Sequence, residues 1–340
     1  METIKAGVIG LGRAGQMHLH NLMTIPEIDI LQVADVFIDK FSDKISDLGF
    51  TNQTSDYHDI LNNPEINTVF VFTSTDTHEQ IVTDAANAGK NIFCEKPLSM
   101  DTNEEASANV LKAVKENHVK LQIGFNRRMD PQFHNIYEQV RSGKIGTPQV
   151  VKVTSRDPDL LPHDLIQRIG GLLFDFTMHD FDIARYMMGS NITEVYAKGG
   201  TLIDPTLKEI NDIDTLALVV QFENGAYGLI DNSRKAVYGY DQRVEVFGSA
   251  GMLKAENVSN STVELYTKDN ETKKNPLPIF TQRYKEAYTI EMKAFVQSLL
   301  NGAPLVATGE DVIMAQRAAI AAQKSIKSGK PVKVDPVFKL

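Results

Sequence analysis

Short apolar runs alternate with amphipathic stretches along the first 125 residues. The runs are "IKAGVIG" from Ile4, "ILQVADV" from Ile30, "NTVFVFTS" from Asn67, "NIFCEKP" from Asn91 and "VKLQIGF" from Val119. Between them, helical periodicity predicts helices over roughly 14–23, 40–48, 77–88 and 103–117. Near-continuous apolar runs suit strands covered on both faces. Strands alternating with helices imply a parallel sheet built with right-handed crossovers.

After about Phe125 the rhythm changes. A helix is predicted near 131–142, followed by "GTPQVVKVTSRDP", a loop, and a helix from about Leu172 that follows Gly170-Gly171. Beyond it, strands succeed one another. "TLALVVQFENGAYGLIDNS" reads as a hairpin whose Asn224-Gly225 suits a type I′ turn, and "RVEVFGSAGMLKAE" as a second one. Two helices, over roughly 282–300 and 311–328, close the chain. The expected fold class is α/β: a parallel-sheet domain of the Rossmann type over 1–124, then an α+β domain over 125–340 with a large, mainly antiparallel open sheet. Such a sheet can leave an apolar face that invites subunit association, unless the last two helices cover it. Association is the preferred expectation.

Composition narrows the function classes. The 340 residues are 42% hydrophobic and 23% charged, ordinary for a globular protein, with net charge −9. An acidic chain with no basic stripe argues against nucleic acid or an anionic membrane as partner. The single cysteine, Cys94, sits in an apolar run and excludes a disulfide framework within one chain; a buried, inert thiol is expected. With no signal-peptide layout and no run long enough to span a bilayer, the expected location is the cytoplasm.

Four places carry candidate chemistry. "GLGRAG" follows a strand and opens a helix. Gly10 permits the tight turn, Gly12 the approach of a pyrophosphate and Gly15 close helix–strand packing. Asp35 lies about 20 residues beyond the last glycine, where a carboxylate bonds ribose hydroxyls and repels a 2′-phosphate. NAD is therefore the expected cofactor, ahead of NADP. "TSTDTH" ends the run from Asn67, so Thr73, Ser74 and Thr75 either meet ribose or nicotinamide, or cap the next helix, with Asp76 as N-cap. "EKP" ends the next run, where Lys96 either bonds a substrate hydroxyl or simply pairs with Glu95.

The fourth place is "FDFTMHDFD", Phe174 to Asp182. In a helix, Asp175, His179 and Asp182 would share one face. Three readings stay open for His179: a hydrogen-bonded core residue, a metal ligand with Asp175 and Asp182, or a general base steered by a carboxylate. The metal reading lacks a further ligand cluster, and no metal is expected.

Together, "GVIGLGRAG", Asp35, "EKPLS" and "GGLLFDFTMHDFD" resemble the glucose-fructose oxidoreductase / inositol dehydrogenase / MocA family in order and spacing. "GFNRRMDP" and "YGYD" look more narrowly like bacterial inositol 2-dehydrogenases. The resemblance covers essentially the whole chain. It implies a dehydrogenase that oxidises an inositol, myo or scyllo, to an inosose with NAD. Lys96 would orient the reacting hydroxyl, His179 would accept its proton and Asp175 would position both, with Asp182 structural. Cofactor contacts would come from Gly10, Gly12, Arg13, Ala14, Gly15 and Asp35. Thr73, Ser74, Thr75, His78, Glu95 and Lys96 would complete them. Asn126, Arg127 and Asp157 would join Lys96, Asp175 and His179 at the substrate, and Tyr240 matches a tyrosine placed to reach a neighbouring subunit. Ser155 stands where those enzymes commonly carry histidine, and Asn126 where an apolar residue is frequent, which leaves the stereoisomer open. The partners implied are a small polyol and further copies of the chain, a tetramer first. The competing readings are an aldose or other sugar dehydrogenase, and a non-catalytic NAD(H)-binding sensor.

Overall fold

The computed structural model describes residues 3–99 and 104–338. It divides into two compact units. One is built from the chain up to Asn126 together with Tyr288–Ile313, the other from Arg127–Ala287 and Met314–Val337.

In the first unit six strands, β1 (Ile4–Ile9), β2 (Ile28–Ala34), β3 (Gln53–Thr54), β4 (Thr68–Val71), β5 (Asn91–Glu95) and β6 (Leu121–Gly124), pair in the order β3-β2-β1-β4-β5-β6. Every pairing is parallel. This is the doubly wound order whose ligand crevice lies beyond the carboxyl ends of the strands. The helices are α1 (Arg13–Leu22), α2 (Ser42–Asp47), α3 (His58–Asn62), α4 (His78–Asn87) and α5 (Glu105–Glu116). The expected start of the last one, Asn103, lies outside the described residues. The periodicity missed β3 and α3 because two and five residues are too short to show a period.

A boundary at 124 does not capture this unit, because a late helix supplies part of its core. Met292, Phe295 and Val296 pack with Val8, Phe70 and Phe93, and the Phe295 ring stands edge-on to Phe70 at 5.9 Å. Cys94 is fully buried, and burial pushes its thiol well above the usual range, so it is inert as expected.

The second unit holds α6 (Pro131–Arg141), β7 (Pro148–Arg156), α7 (His163–Ile169), a π-helical turn (Leu172–Thr177) and α8 (Met178–Met188). Then come β8 (Ile192–Gly200), β9 (Thr215–Phe222), β10 (Tyr227–Ser233), β11 (Asp241–Gly248), β12 (Gly251–Ala255) and a small hairpin, β13 (Glu264–Tyr266) with β14 (Glu271–Lys273). The chain ends through α9 (Phe280–Arg283), α10 (Lys285–Asn301), α11 (Gly309–Ser328) and β15 (Val332–Lys333). Seven strands form one sheet, β12-β11-β7-β10-β9-β8-β15, antiparallel except where β7 meets β10. Among the described residues no helix is long and apolar enough to cross a membrane.

The β9–β10 hairpin forms as expected, but its turn is not type I′. Only Gly225 has positive φ, +85°. Gly225 N donates to Phe222 O and Phe222 N to Ala226 O, the bonding of a three-residue loop that closes on a left-handed glycine. One sheet face is buried, with Ala197, Leu218 and Ile230 in cross-strand register, and at the edge of β8 Ala197 N donates to Ser325 Oγ of α11. On the other, Tyr196, Val219 and Leu229 form an exposed row in cross-strand register.

Phe295→Ala is expected to lower the unfolding free energy by about 3–5 kcal/mol, the cost of emptying a fully buried aromatic site. A urea titration followed by circular dichroism checks this; a midpoint equal to wild type contradicts the core placement.

Candidate active site

β1 runs into Gly10, whose φ is +98°. A side chain there would meet the backbone of Phe72 and Thr73 at 2.7 Å, and one at Gly15 would meet Gly10 O at 2.1 Å. Gly12 is different: nothing lies within 4 Å of where its Cβ would be. α1 starts at Arg13 with no side-chain cap. Its N-terminal end, with Arg13, Ala14 and Gly15, faces this open ground, which suits a phosphate.

Asp35 closes the same turn. Its Oδ2 accepts from Leu11 N at 2.7 Å and its Oδ1 from Phe37 N at 2.8 Å. These two amides fix the carboxylate, and each oxygen keeps accepting capacity for ribose hydroxyls. Val36 and Phe37 beside it are exposed, an apolar surface that suits a purine. The residues present therefore fit a dinucleotide.

At the end of β4, Ser74 is exposed, Thr73 half-buried and Thr75 buried. Asp76 does not cap α4, which begins at His78 with Thr77 at its N-cap and no side-chain bond. His78 is buried, with Nδ1 2.7 Å from Pro97 O and Nε2 3.2 Å from Thr73 O. Burial lowers its pKa, so a neutral ring donating from Nδ1 to Pro97 O ties the start of α4 to the segment after β5. Glu95, at the end of β5, takes the buried His18 Nε2 at 2.8 Å. Glu291 carries a carboxyl pushed well up by burial, then by Glu95. Lys96 follows directly and is partly exposed.

In the second unit the decisive segment is the π turn and α8. Gly170 and Gly171 both have positive φ, +90° and +72°. Leu172 N donates to Asp212 Oδ1 at 3.0 Å. The Thr177 hydroxyl lies 3.1 Å from the carbonyl of Leu172, five residues back, the reach of a π turn. This widened turn and the burial pattern correct the expectation of one shared face. Asp182 turns inward, 1% exposed, and is gripped by Arg128 at 2.5 and 2.9 Å. Both of its oxygens are thereby engaged by the guanidinium. From Leu172 to Arg185, only Asp175 and His179 keep partial exposure.

Asp180, which the sequence reading passed over, anchors the segment from beneath. It is fully buried and accepts from Arg127, Ser155 and Asn232. Burial pushes its carboxyl up, while Arg127, Ser155 and Asn232 favour the charged form. Arg127 and Asn126 are themselves buried. The Arg127 Nη1 bonds Asp180 and Ser155, while its Nε and Nη2 meet no hydrogen-bond partner among the described residues. Tyr240, expected to reach a neighbouring subunit, is buried with its ring edge-on to Tyr284 at 6.1 Å. The exposed tyrosine of that motif is Tyr238.

Asp157 sits just past β7. Burial pushes its carboxyl up to about 6, with Asp175 adding repulsion and Arg234 and Arg127 opposing. Arg234, also unremarked in the sequence, lies 3.2 Å from Asp157 and 3.9 Å from Asp175. A separate cavity of about 640 Å³ is lined by Gly171, Leu173, Phe174, Ile213 and Ile326 among others, and includes neither Asp175 nor His179.

A glycine turn for a dinucleotide and a second unit presenting an acid and an imidazole define an NAD-dependent oxidoreductase. Residues 4–125 match the description "Oxidoreductase family, NAD-binding Rossmann fold", and residues 137–334 match "Oxidoreductase family, C-terminal alpha/beta domain". The chain is 44% identical over 339 residues to an uncharacterized oxidoreductase of Bacillus subtilis, covering 100% of this chain and 99% of the relative. It is 41% identical over 335 residues to the myo-inositol 2-dehydrogenase of Thermotoga maritima, covering 98% and 100%. The crystal structure of scyllo-inositol dehydrogenase from Lactobacillus casei, with bound NAD(H) and scyllo-inositol, aligns with TM-score 0.89 at 29% identity, over 97% of this chain and 99% of that one. The chain belongs to the Gfo/Idh/MocA family of oxidoreductases. It is an NAD-dependent dehydrogenase acting on CH–OH groups.

Asp35→Ser should lower the ratio of kcat/KM with NAD to that with NADP by about tenfold or more, since one carboxylate both bonds the ribose and repels the phosphate. Parallel assays with the two coenzymes measure it. An unchanged ratio contradicts the ribose role.

Proposed function

We propose that the protein oxidises an inositol, myo or scyllo, at one carbon to an inosose. The observation that carries this reading is the selective exposure of Asp175 and His179 on an otherwise buried segment. A segment built only for packing has no reason to leave an acid and a base as its two polar outlets. The relatives named for inositol oxidation support the substrate class. NAD, when bound, supplies the hydride acceptor. His179 takes the hydroxyl proton onto a ring nitrogen. Lys96 donates a hydrogen bond to the same oxygen and stabilises the negative charge that develops there. Asp175 accepts from a hydroxyl and favours the charged imidazole. A polyol ring bound this way needs a partner for each buried hydroxyl, which the polar side chains around Asp157 and Asp175 supply.

The protein acts as a homo-oligomer in the cytoplasm, a tetramer first, associating through the open sheet face. Besides the row Tyr196–Val219–Leu229, a second row runs Tyr227–Val150–Phe247–Met252 in register. Two aligned apolar rows are more than scattered surface hydrophobics. Leu229→Glu with Phe247→Glu is expected to reduce the assembly to smaller species in sedimentation velocity; an unchanged sedimentation coefficient contradicts association through this face.

Rates of NADH formation across a panel of inositols, aldoses and other sugars test the substrate. Inositol oxidation well above every aldose is expected. Aldose preference overturns the substrate, and tight NADH binding without turnover of any polyol overturns the catalytic reading. Lys96→Ala and His179→Ala should each lower kcat by about 10²-fold or more while NADH binding, read by fluorescence, stays within about twofold. Near-normal turnover in either variant contradicts its role.

A further inference from the structure

Arg234 is fully buried, with 0% of its side chain exposed. A charged side chain is rarely buried to this degree unless it is paired. Its ion-pair partners here are unusual. Asp157 and Asp175 are both carboxylates that keep an edge at the surface, 18% and 24% exposed. One guanidinium therefore sits behind two acids that face outward.

The geometry is not that of a structural clamp. The same unit contains two such clamps for comparison. Arg128 holds Asp182 through two bonds of 2.5 and 2.9 Å, and Arg156 holds Asp231 through two bonds of 2.7 and 2.5 Å. Arg234 instead makes one longer bond, 3.2 Å, to Asp157 and stands 3.9 Å from Asp175. Its Nε and Nη2 meet no hydrogen-bond partner among the described residues. The guanidinium lies over the Phe176 ring, 5.8 Å from its centroid. Backbone bonds fix this arrangement. Arg234 N donates to Asp214 O, Asp157 N to Ser233 O, and Ala236 N to Asp157 O. Asp157 and Arg234 are thus placed by main chain, and their mutual attraction is not needed to hold the fold.

We propose that Arg234 is a positioning residue that keeps Asp157 charged and holds Asp157 and Asp175 aimed outward, so that the two together accept hydrogen bonds from adjacent hydroxyls of a neutral polyol. This rests on the polyol reading above. Asp175 adds repulsion at the Asp157 carboxyl, and the Arg234 cation beside both offsets it. The other charged or titratable groups facing the pair are Arg127, Tyr240, and His179 on the turn after Asp175; Asp180 is neutralised by Arg127. An anionic sugar acid meets repulsion at the same place. The sign of the pH effect follows. Asp157 stands near 6 with Arg234 in place, so protonation removes an acceptor as pH falls through that value, and KM for the polyol rises on the acid side. Without the cation, Asp157 holds its proton to higher pH.

The test uses the NAD-loaded protein and two readouts, the pH profile of kcat/KM with the preferred inositol and ¹³C-detected titration of aspartate carboxyls without substrate. Arg234→Gln is expected to raise KM about tenfold or more and to move the acid limb and the carboxyl titration up by about one pH unit. Arg234→Lys should restore the limb with only a few-fold rise in KM. Asp157→Asn in the Arg234→Gln background should abolish the displaced carboxyl titration, which a packing role would not produce. If Arg234→Gln moves neither the limb nor the carboxyl titration, the proposal is overturned. If the wild type oxidises no polyol yet Arg234→Gln shifts the carboxyls, the polyol reading fails and the electrostatic role of Arg234 stands. Should Arg234→Gln not fold, Asp157→Asn and Arg234→Lys decide through the dissociation constant of the inositol from the NADH-loaded protein, a readout with no proton transfer to His179: its rise as pH falls through about 6 must vanish in the first and persist in the second, and its survival in Asp157→Asn overturns the proposal.

Discussion

Two adjacent arginines hold the functional segment of the second unit in place. Arg127 is paired with Asp180 and Arg128 with Asp182, both pairs buried. Acids two positions apart on α8 are thereby drawn inward, and the intervening residue Phe181 is buried with them. What remains for the surface is set by that anchoring: His179, just before the first anchor, and Asp175, offset by the π turn. Buried ion pairs add little net stability over an apolar core, but removing one partner strands the other charge at a cost of about 3–5 kcal/mol. Their value here is orientation. They make one rotational setting of the helix far better than its neighbours, and that setting determines which two side chains face outward.

The same logic runs through the first unit in different chemistry. There the orienting bonds are made to backbone. Asp35 holds the glycine turn through Leu11 N, and His78 holds the end of β5 through Pro97 O. Asp35 and His78 are therefore each held by a bond that a sequence motif does not spell out. Next to Lys96 in the chain, half-buried Glu95 bonds the buried imidazole of His18, and it adds to burial in pushing up the carboxyl of Glu291.

Much of the fold was legible because its signals are local and periodic. The parallel strands announce themselves as apolar runs, and the glycines at 10, 12 and 15 fall between a strand and a helix, where only one geometry fits. The mainly antiparallel second sheet was visible for the same reason. What was not legible depends on distant partners. Nothing in the spacing of Asp175, His179 and Asp182 reveals the π turn, because that turn depends on Asp212 and Thr177 meeting Leu172. Asp180 and Asp182 look alike in sequence, and only Arg127 and Arg128 tell them from Asp175. Arg234 follows a strand with no motif to mark it. The helix that completes the first unit's core arrives about 170 residues after the last strand it supports, a separation that periodicity cannot bridge.

The central claim is that Lys96 and His179 act on one hydroxyl oxygen of a polyol whose carbon gives its hydride to NAD. A crystal structure of the protein with NADH and its preferred inositol tests this most directly. The account predicts one substrate oxygen within hydrogen-bond distance of both the Lys96 ammonium and a His179 ring nitrogen, on the carbon facing the nicotinamide. An inositol bound elsewhere, such as in the cavity beside Phe174, or one whose hydroxyls touch only one of the two groups, would contradict it.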